Sequence, residues 1–272
     1  ADGTGKYVFG LGDGNRVESV LLSDGRRRTL CVSTQVGCAM GCAFCATAKV
    51  KLRRNLTAGE IADQVICAER DGEKVRNVVY MGMGEPLMNY EAVLKSVAIL
   101  NNAGGKGIGI RHLTISTCGI VPGIRRLAGE RLRPRLALSL NAPTNALRRE
   151  MMPIAAKYPL ADVIDAIRDY QAKTGQRVSF EYVMLGGLND KVEHAKAVVR
   201  LLRKLQCHVN LIEFNPHSGC RFVGSGSEMI GRFATVLEDA GIETTIRFRM
   251  GRGICAACGQ LGAQQAMRGG TE

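Results

Sequence analysis

The chain has no tryptophan, and aromatic residues make up only 5% of its 272 positions. A platform that stacks successive bases on aromatic rings is therefore not evident. No apolar run approaches the length of a membrane span. The opening residues, Ala1-Asp2-Gly3-Thr4-Gly5-Lys6, do not read as a secretory signal. Together these absences lead us to expect a cytoplasmic protein with no membrane partner. Histidine is scarce too: the four present show no paired metal-ligand spacing and support no Ser-His-Asp arrangement. There is no Walker motif and no dinucleotide fingerprint in a strand–helix context. The glycines of Gly10-Leu11-Gly12-Asp13-Gly14 fit a hairpin turn, because no helical pattern follows them. No low-complexity linker marks a domain boundary.

Cysteine and positive charge are what the chain does have. Ten cysteines without a secretory signal point to a reducing compartment, with thiols kept for metal binding or catalysis. Lys and Arg total 37 against 25 Asp and Glu, a net charge of +12, which favours a polyanionic partner such as nucleic acid. The basic residues cluster at Arg26–Arg28, at Lys49, Lys51, Arg53 and Arg54, at Arg125, Arg126, Arg131, Arg133 and Arg135, and at Arg247, Arg249 and Arg252. A solvated surface would also produce such runs, but two of the groups flank the cysteine loop in sequence and RNA contact is the favoured reading.

The length suits one large domain with a sizeable core. A β-hairpin is expected first, with Tyr7–Leu11 and Val17–Leu22 joined at Asp13-Gly14-Asn15. Strand-like runs then alternate with helical patterns: Thr29–Ser33, Asn77–Gly82, Leu113–Thr117, Arg135–Leu140, Val178–Met184 and Val209–Phe214, followed by Thr244–Phe248. Thr57-Ala58-Gly59-Glu60 reads as a capping box. Val192, Ala195, Val198, Val199, Leu202 and Leu205 form one apolar helical stripe. Ile230, Phe233, Leu237 and Ala240 form another, stopped by Gly241. Six strand–helix units in series predict an α/β fold with parallel, barrel-like strands. We expect residues 1–28 to be an N-terminal hairpin extension and residues 29–272 to be a partial (βα)6 barrel with a C-terminal tail. In such folds the site lies at the C-terminal ends of the strands.

Cys38, Cys42 and Cys45 follow the first of those strands with the spacing Cys-x-x-x-Cys-x-x-Cys. Three thiolates can hold three irons of a [4Fe–4S] cubane and leave the fourth open to a small molecule. A structural zinc site would need a fourth ligand, which Cys31 could supply. A disulfide framework fits a large chain without a secretory signal poorly. The spacing resembles the signature of radical S-adenosylmethionine (SAM) enzymes, whose open iron binds SAM and cleaves it reductively. Later strand ends carry Met81-Gly82-Met83-Gly84-Glu85-Pro86-Leu87, Ser116-Thr117-Cys118-Gly119, Ser139-Leu140-Asn141-Ala142-Pro143 and Asn215-Pro216-His217. Each taken alone could be a turn or a cap.

Taken together with Cys31 and with the tail Ala256-Ala257-Cys258-Gly259-Gln260-Leu261, these stretches resemble the RlmN/Cfr family of radical-SAM adenosine methyltransferases over nearly the whole chain. The resemblance implies that Cys38, Cys42 and Cys45 hold the [4Fe–4S] cluster. It implies a SAM site at Gly84, Glu85, Ser116, Ser139, Leu140, Asn141 and Asn215. Cys258 would carry a methyl group, Cys31 would resolve the intermediate, and Glu18 would accept a proton. An amidine carbon such as adenine C2 is electrophilic and does not attack a SAM methyl group. The family's route therefore methylates Cys258 with one SAM and uses a second to make that methyl a radical. The radical adds to the base, and Cys31 releases product by forming a disulfide with Cys258, which thiol exchange resets. The implied substrate is an adenosine of 23S rRNA, with tRNA as a further candidate, modified at C2. Modification at C8, as in the antibiotic-resistance branch, and a non-catalytic Fe–S RNA-binding protein are the alternatives. A flavodoxin- or ferredoxin-like electron donor and a monomeric state are expected. Two departures stand out. Many family members begin with a helical domain that these residues do not include, and Asn141 sits where several relatives have His.

Overall fold

The computed structural model describes residues 3–24, 27–70, 72, 74–217, 220–247 and 259–262. The chain opens with β1 (Gly5–Gly10) and β2 (Arg16–Asp24), an antiparallel hairpin in which Val8 faces Glu18. Strand β3 (Arg27–Cys31) pairs antiparallel with β2, placing Cys31 opposite Val20. A short antiparallel pair follows, β4 (Gln35–Val36) with β5 (Arg54–Asn55). Two-residue strands have no hydrophobic pattern of their own, and nothing in the sequence announced them.

From β3 onward the chain alternates. Helix α1 (Ala58–Glu69) leads to β6 (Asn77–Tyr80), α2 (Tyr90–Asn101) to β7 (Leu113–Thr117), and α3 (Val121–Leu127) to β8 (Arg135–Ser139). Two helices, α4 (Asn145–Met151) and α5 (Leu160–Thr174), precede β9 (Val178–Met184). Then come α6 (Val192–Leu202), β10 (Cys207–Glu213), α7 (Ser227–Asp239) and β11 (Glu243–Arg247). Nine strands form one sheet in the order β1-β2-β3-β6-β7-β8-β9-β10-β11, and every neighbouring pair from β3 to β11 is parallel. Six strand–helix units in series thus make an α/β partial barrel, with the hairpin continuing the same sheet at one edge and β11 closing the other. Among the described residues no pairing joins β1 to β11.

Central strands turn one apolar face to the helices, while the opposite face carries buried polar residues such as Ser116, Glu181 and Asn210. Leu30, Val78, Leu113, Ile115, Leu136, Leu138, Phe180 and Leu211 are all buried. The capping box forms as expected: Thr57 accepts from the Glu60 amide, and the Glu60 carboxylate accepts from that of Thr57. Helix α7 stops where Gly241 donates to the Glu238 carbonyl and Ile242 to that of Leu237. Helix α6 is shorter than its apolar stripe. It ends at Leu202, and Leu205 lies beyond a left-handed residue, Lys204, at φ 74°. Among the described residues no helix is long and apolar enough to cross a membrane.

Candidate active site

The cysteine loop hangs from the C-terminal end of β3, and the β4–β5 pair forms its neck. At the start of the loop, Gly37 adopts φ 80°, and a Cβ there would stand 2.3 Å from the Lys51 carbonyl oxygen. Only glycine fits that crossing. Amides then fix the turn: Cys38 donates to Val50 at 3.1 Å, Cys45 to Cys42 at 3.1 Å, and Ala43 to Met151 at the end of α4 at 2.9 Å. Cys38, Cys42 and Cys45 are all partly buried. Burial pushes the Cys38 thiol up to about 11, and the negative charge of Cys45 and Glu85 adds to the rise. Cys42 is pushed up further, first by burial and then by Cys45 and Cys38. The three sulfurs therefore lie within one another's field. Among the described residues no three Cys, His, Asp or Glu side chains form a preassembled single-ion site. A cubane makes a different demand, since each cysteine binds its own iron. An all-thiol donor set without carboxylate or imidazole suits iron–sulfur chemistry.

The second strand end comes close beneath this loop. Gly84 adopts φ 102°, and a Cβ on it would meet the Gln35 Cβ at 2.6 Å. Glu85 is buried, and burial raises its carboxyl despite two backbone donors. Oε1 accepts from Leu87 at 3.0 Å and Oε2 from Cys118 at 2.8 Å. Ser116 and Ser139 occupy the last turns of β7 and β8. Leu140 and Asn141 follow, both buried, with Asn141 left-handed at φ 56°. The Asn141 Oδ1 accepts from Val183 on β9 at 3.0 Å, and its Nδ2 lies 3.3 Å from the Met152 sulfur. Asn215, also buried, follows β10. All seven residues thus share the C-terminal rim of the parallel sheet with the cysteine loop.

A third component comes from the chain ends. Ala46, next to Cys45, donates to the Gly259 carbonyl at 2.7 Å, and the Thr47 hydroxyl donates to Leu261 at 2.7 Å. Gln260 Nε2 donates to Pro216 at 3.0 Å. The Gly262 amide donates to Glu18 Oε2 at 2.9 Å, and the same oxygen pairs with Lys6 at 3.0 Å. Lys6 and Cys31 both register opposite Val20, so they share a face with it. Glu18, two residues before Val20 on β2, points to that same side. Strands β1, β2 and β3 therefore turn Lys6, Glu18 and Cys31 toward one face, and Gly262 reaches Glu18 there. Cys258 lies outside the described residues, as do Cys255, Arg249 and Arg252, but its chain neighbour Gly259 is bonded beside Cys45.

Two contributors, Arg148 and Asn189, escaped the sequence reading, and His217 belongs to the strand-end stretch already singled out. Arg148 on α4 is fully buried and donates to the carbonyls of Leu140, Cys118 and Ser139. Asn189 ties Asn141 to β9 through its amide. His217 lies 3.2 Å from the Phe44 carbonyl, fastening the loop after β10 to the cysteine loop. An arginine or asparagine on a helix or loop carries no spacing signal, so neither Arg148 nor Asn189 could have been found before the chain was folded.

The charge clusters also separate. Lys51 and Arg53 are exposed in the cysteine loop. Arg54 is committed elsewhere: its Nη1 and Nη2 donate to Glu60 at 2.9 and 2.8 Å, and its Nε to Asp13 at 2.5 Å. Arg135 opens β8, so the group around it lies at the opposite end of the sheet from the site.

The Radical SAM superfamily pattern matches residues 32–202. The "Probable dual-specificity RNA methyltransferase RlmN" of Symbiobacterium thermophilum is 52% identical over 263 residues, covering 95% of this chain and 71% of that protein. The "Dual-specificity RNA methyltransferase RlmN" of Pelobacter propionicus is 48% identical over 272 residues, covering 100% of this chain and 78% of that protein. The crystal structure of a radical SAM methyltransferase from Sphaerobacter thermophilus superposes with a TM-score of 0.92 at 46% identity, covering 96% of this chain and 77% of that one. With identity this high over nearly the whole chain, the chain belongs to the radical SAM superfamily and, within it, to the RlmN family.

Proposed function

We propose that this protein is a radical-SAM RNA methyltransferase that modifies an adenosine at C2, with 23S rRNA and tRNA as substrates. One observation carries the reading: the segment Gly259–Gly262, directly after Cys258, is bonded to both the cysteine loop and Glu18. A protein that only bound RNA would need no such convergence.

In this reading Cys38, Cys42 and Cys45 hold a [4Fe–4S] cluster. Gly84 gives close backbone approach, and Ser116, Ser139, Leu140, Asn141 and Asn215 line the SAM site. Glu85 acts by geometry, because its two oxygens hold the Leu87 and Cys118 amides in place. When bound, cluster and SAM together supply a methyl group and a hydrogen-abstracting radical. The chain's own residues do the rest. Cys258 presents the sulfur that carries the methyl, Cys31 at the end of β3 releases product, and Glu18 takes the proton leaving the base. Residues 1–28 serve as the hairpin extension that presents Glu18, and residues 29–272 as the catalytic barrel and tail. The protein works as a cytoplasmic monomer with a flavodoxin- or ferredoxin-like electron donor.

The test is nucleoside mass mapping after anaerobic reaction of the reconstituted protein with SAM, a low-potential reductant and RNA. 2-Methyladenosine is the expected product. 8-Methyladenosine would overturn the C2 assignment, and unmodified RNA with a loaded cluster would overturn the activity.

A further inference from the structure

Arg148 is the largest fully buried side chain, and it is a cation. Its Nε donates to the Leu140 carbonyl at 3.2 Å, and Nη2 donates to Cys118 at 2.6 Å and Ser139 at 3.2 Å. Those acceptors are neutral. Nη1 is buried and has no partner among the described residues. The ionisable groups whose field reaches this guanidinium are the Cys118 and Cys42 thiols. A buried cation without a counterion is costly, so a fold that keeps one holds a place for negative charge. Helix α4 also grips the cysteine loop: the Ala43 amide, between Cys42 and Cys45, donates to Met151, and Gly41 packs on Pro153. Arg148 and the loop are thereby held in one rigid relation, with the charge one turn of helix away from the grip.

We propose that Arg148 is a positioning residue for the cluster's electrostatics: its buried positive charge raises the cluster's reduction potential and so eases the one-electron reduction that SAM cleavage requires. The inference rests on the cluster assignment made above. Reduction takes one electron from the low-potential donor and makes the cluster and its three thiolates more negative. A nearby fixed cation stabilises that reduced form more than the oxidised one, net charge being one of the levers on cluster potential. A guanidinium keeps its charge even when buried, which a titratable group would not.

Redox titration of the reconstituted holoprotein, followed by electron paramagnetic resonance, tests this. Arg148→Gln keeps a hydrogen-bonding group and Arg148→Met fills the space, and both remove the charge. Each should lower the reduced-to-oxidised ratio at fixed potential about tenfold, a shift of ~59 mV for one electron. Arg148→Lys retains the charge and should stay within about threefold of wild type. A neutral variant with wild-type iron content and an unchanged ratio overturns the proposal. So does a Lys variant that shifts as far as Gln. If neither neutral variant loads a cluster, the Lys variant decides by the same criterion. If all three fold by circular dichroism yet load no cluster, Arg148 is structural and the proposal is overturned. A wild-type protein that binds no cluster would instead refute the cluster assignment itself.

Discussion

At the scale of single residues, the two outlying cysteines should fail differently when replaced. On the proposed roles, Cys258→Ala removes the methyl carrier, so neither methylcysteine nor methylated base should form. On the same proposal, Cys31→Ala leaves methyl transfer and addition to the base intact and removes release. A covalent RNA–protein adduct should accumulate, visible on denaturing gels and mapped to Cys258 by peptide mass after nuclease digestion. Wild-type turnover by either variant would refute the assigned roles. Gly84→Ala asks a backbone question instead. At φ 102° and with Gln35 Cβ 2.6 Å away, an added methyl meets both strain and a clash. A loss of at least ~2 kcal/mol in urea unfolding is expected, and SAM binding should fall with it. All three residues were legible as motif members beforehand. Why Gly84 must be glycine was not, because the atom it would strike belongs to β4, 49 positions earlier in the chain (84 − 35).

At the scale of elements, the entry to α1 supports the cysteine loop from below. Arg54, the last residue but one before Leu56, links Asp13 on the hairpin turn to Glu60 in the capping box. The Arg54 hydrogen bonds hold the Glu60 carboxyl below the usual carboxylate range. A lowered folded value means the stability is present above the unfolded pKa of ~4.3 and is lost as pH falls through the folded value. Glu60→Gln should therefore cost about 1 kcal/mol at pH 7. The gap to wild type should narrow on acidification below pH ~4. A gap that persists unchanged in acid would place the effect in packing, not charge. The capping box was readable from Thr57 and Glu60 alone, since it is a local pattern. The third partner was not, because Asp13 lies 41 positions from Arg54.

At the scale of the whole molecule, the net charge of +12 is distributed unevenly with respect to the site. Lys51 and Arg53 project from the cysteine loop, whereas Arg131 and Arg135 lie toward the opposite end of the sheet. Phosphate contacts release counterions, so RNA affinity should fall steeply with salt. Lys51→Glu and Arg53→Glu together should reduce the slope of log K against log salt by about two. Arg131→Glu with Arg135→Glu should leave it unchanged. Fluorescence anisotropy across a salt series measures both pairs. Equal effects from the two pairs would remove the loop face as the RNA contact.

What the sequence alone determined is local or periodic: strand–helix alternation, the capping box, the cysteine spacing and the strand-end motifs. Alternating patterns record which faces are buried, and a motif's spacing records which atoms can share a ligand, so both survive without coordinates. Tertiary structure alone decided the rest. It set the β4–β5 neck of the cysteine loop, which rests on two backbone pairs with no pattern behind them. It sorted the basic clusters between the two ends of the sheet. It brought Glu18 to Gly262 across 244 positions and buried Arg148 beneath the loop. Such contacts arise when distant segments pay a shared loop-closure entropy to reach one rim, and no single segment carries a trace of its future partner.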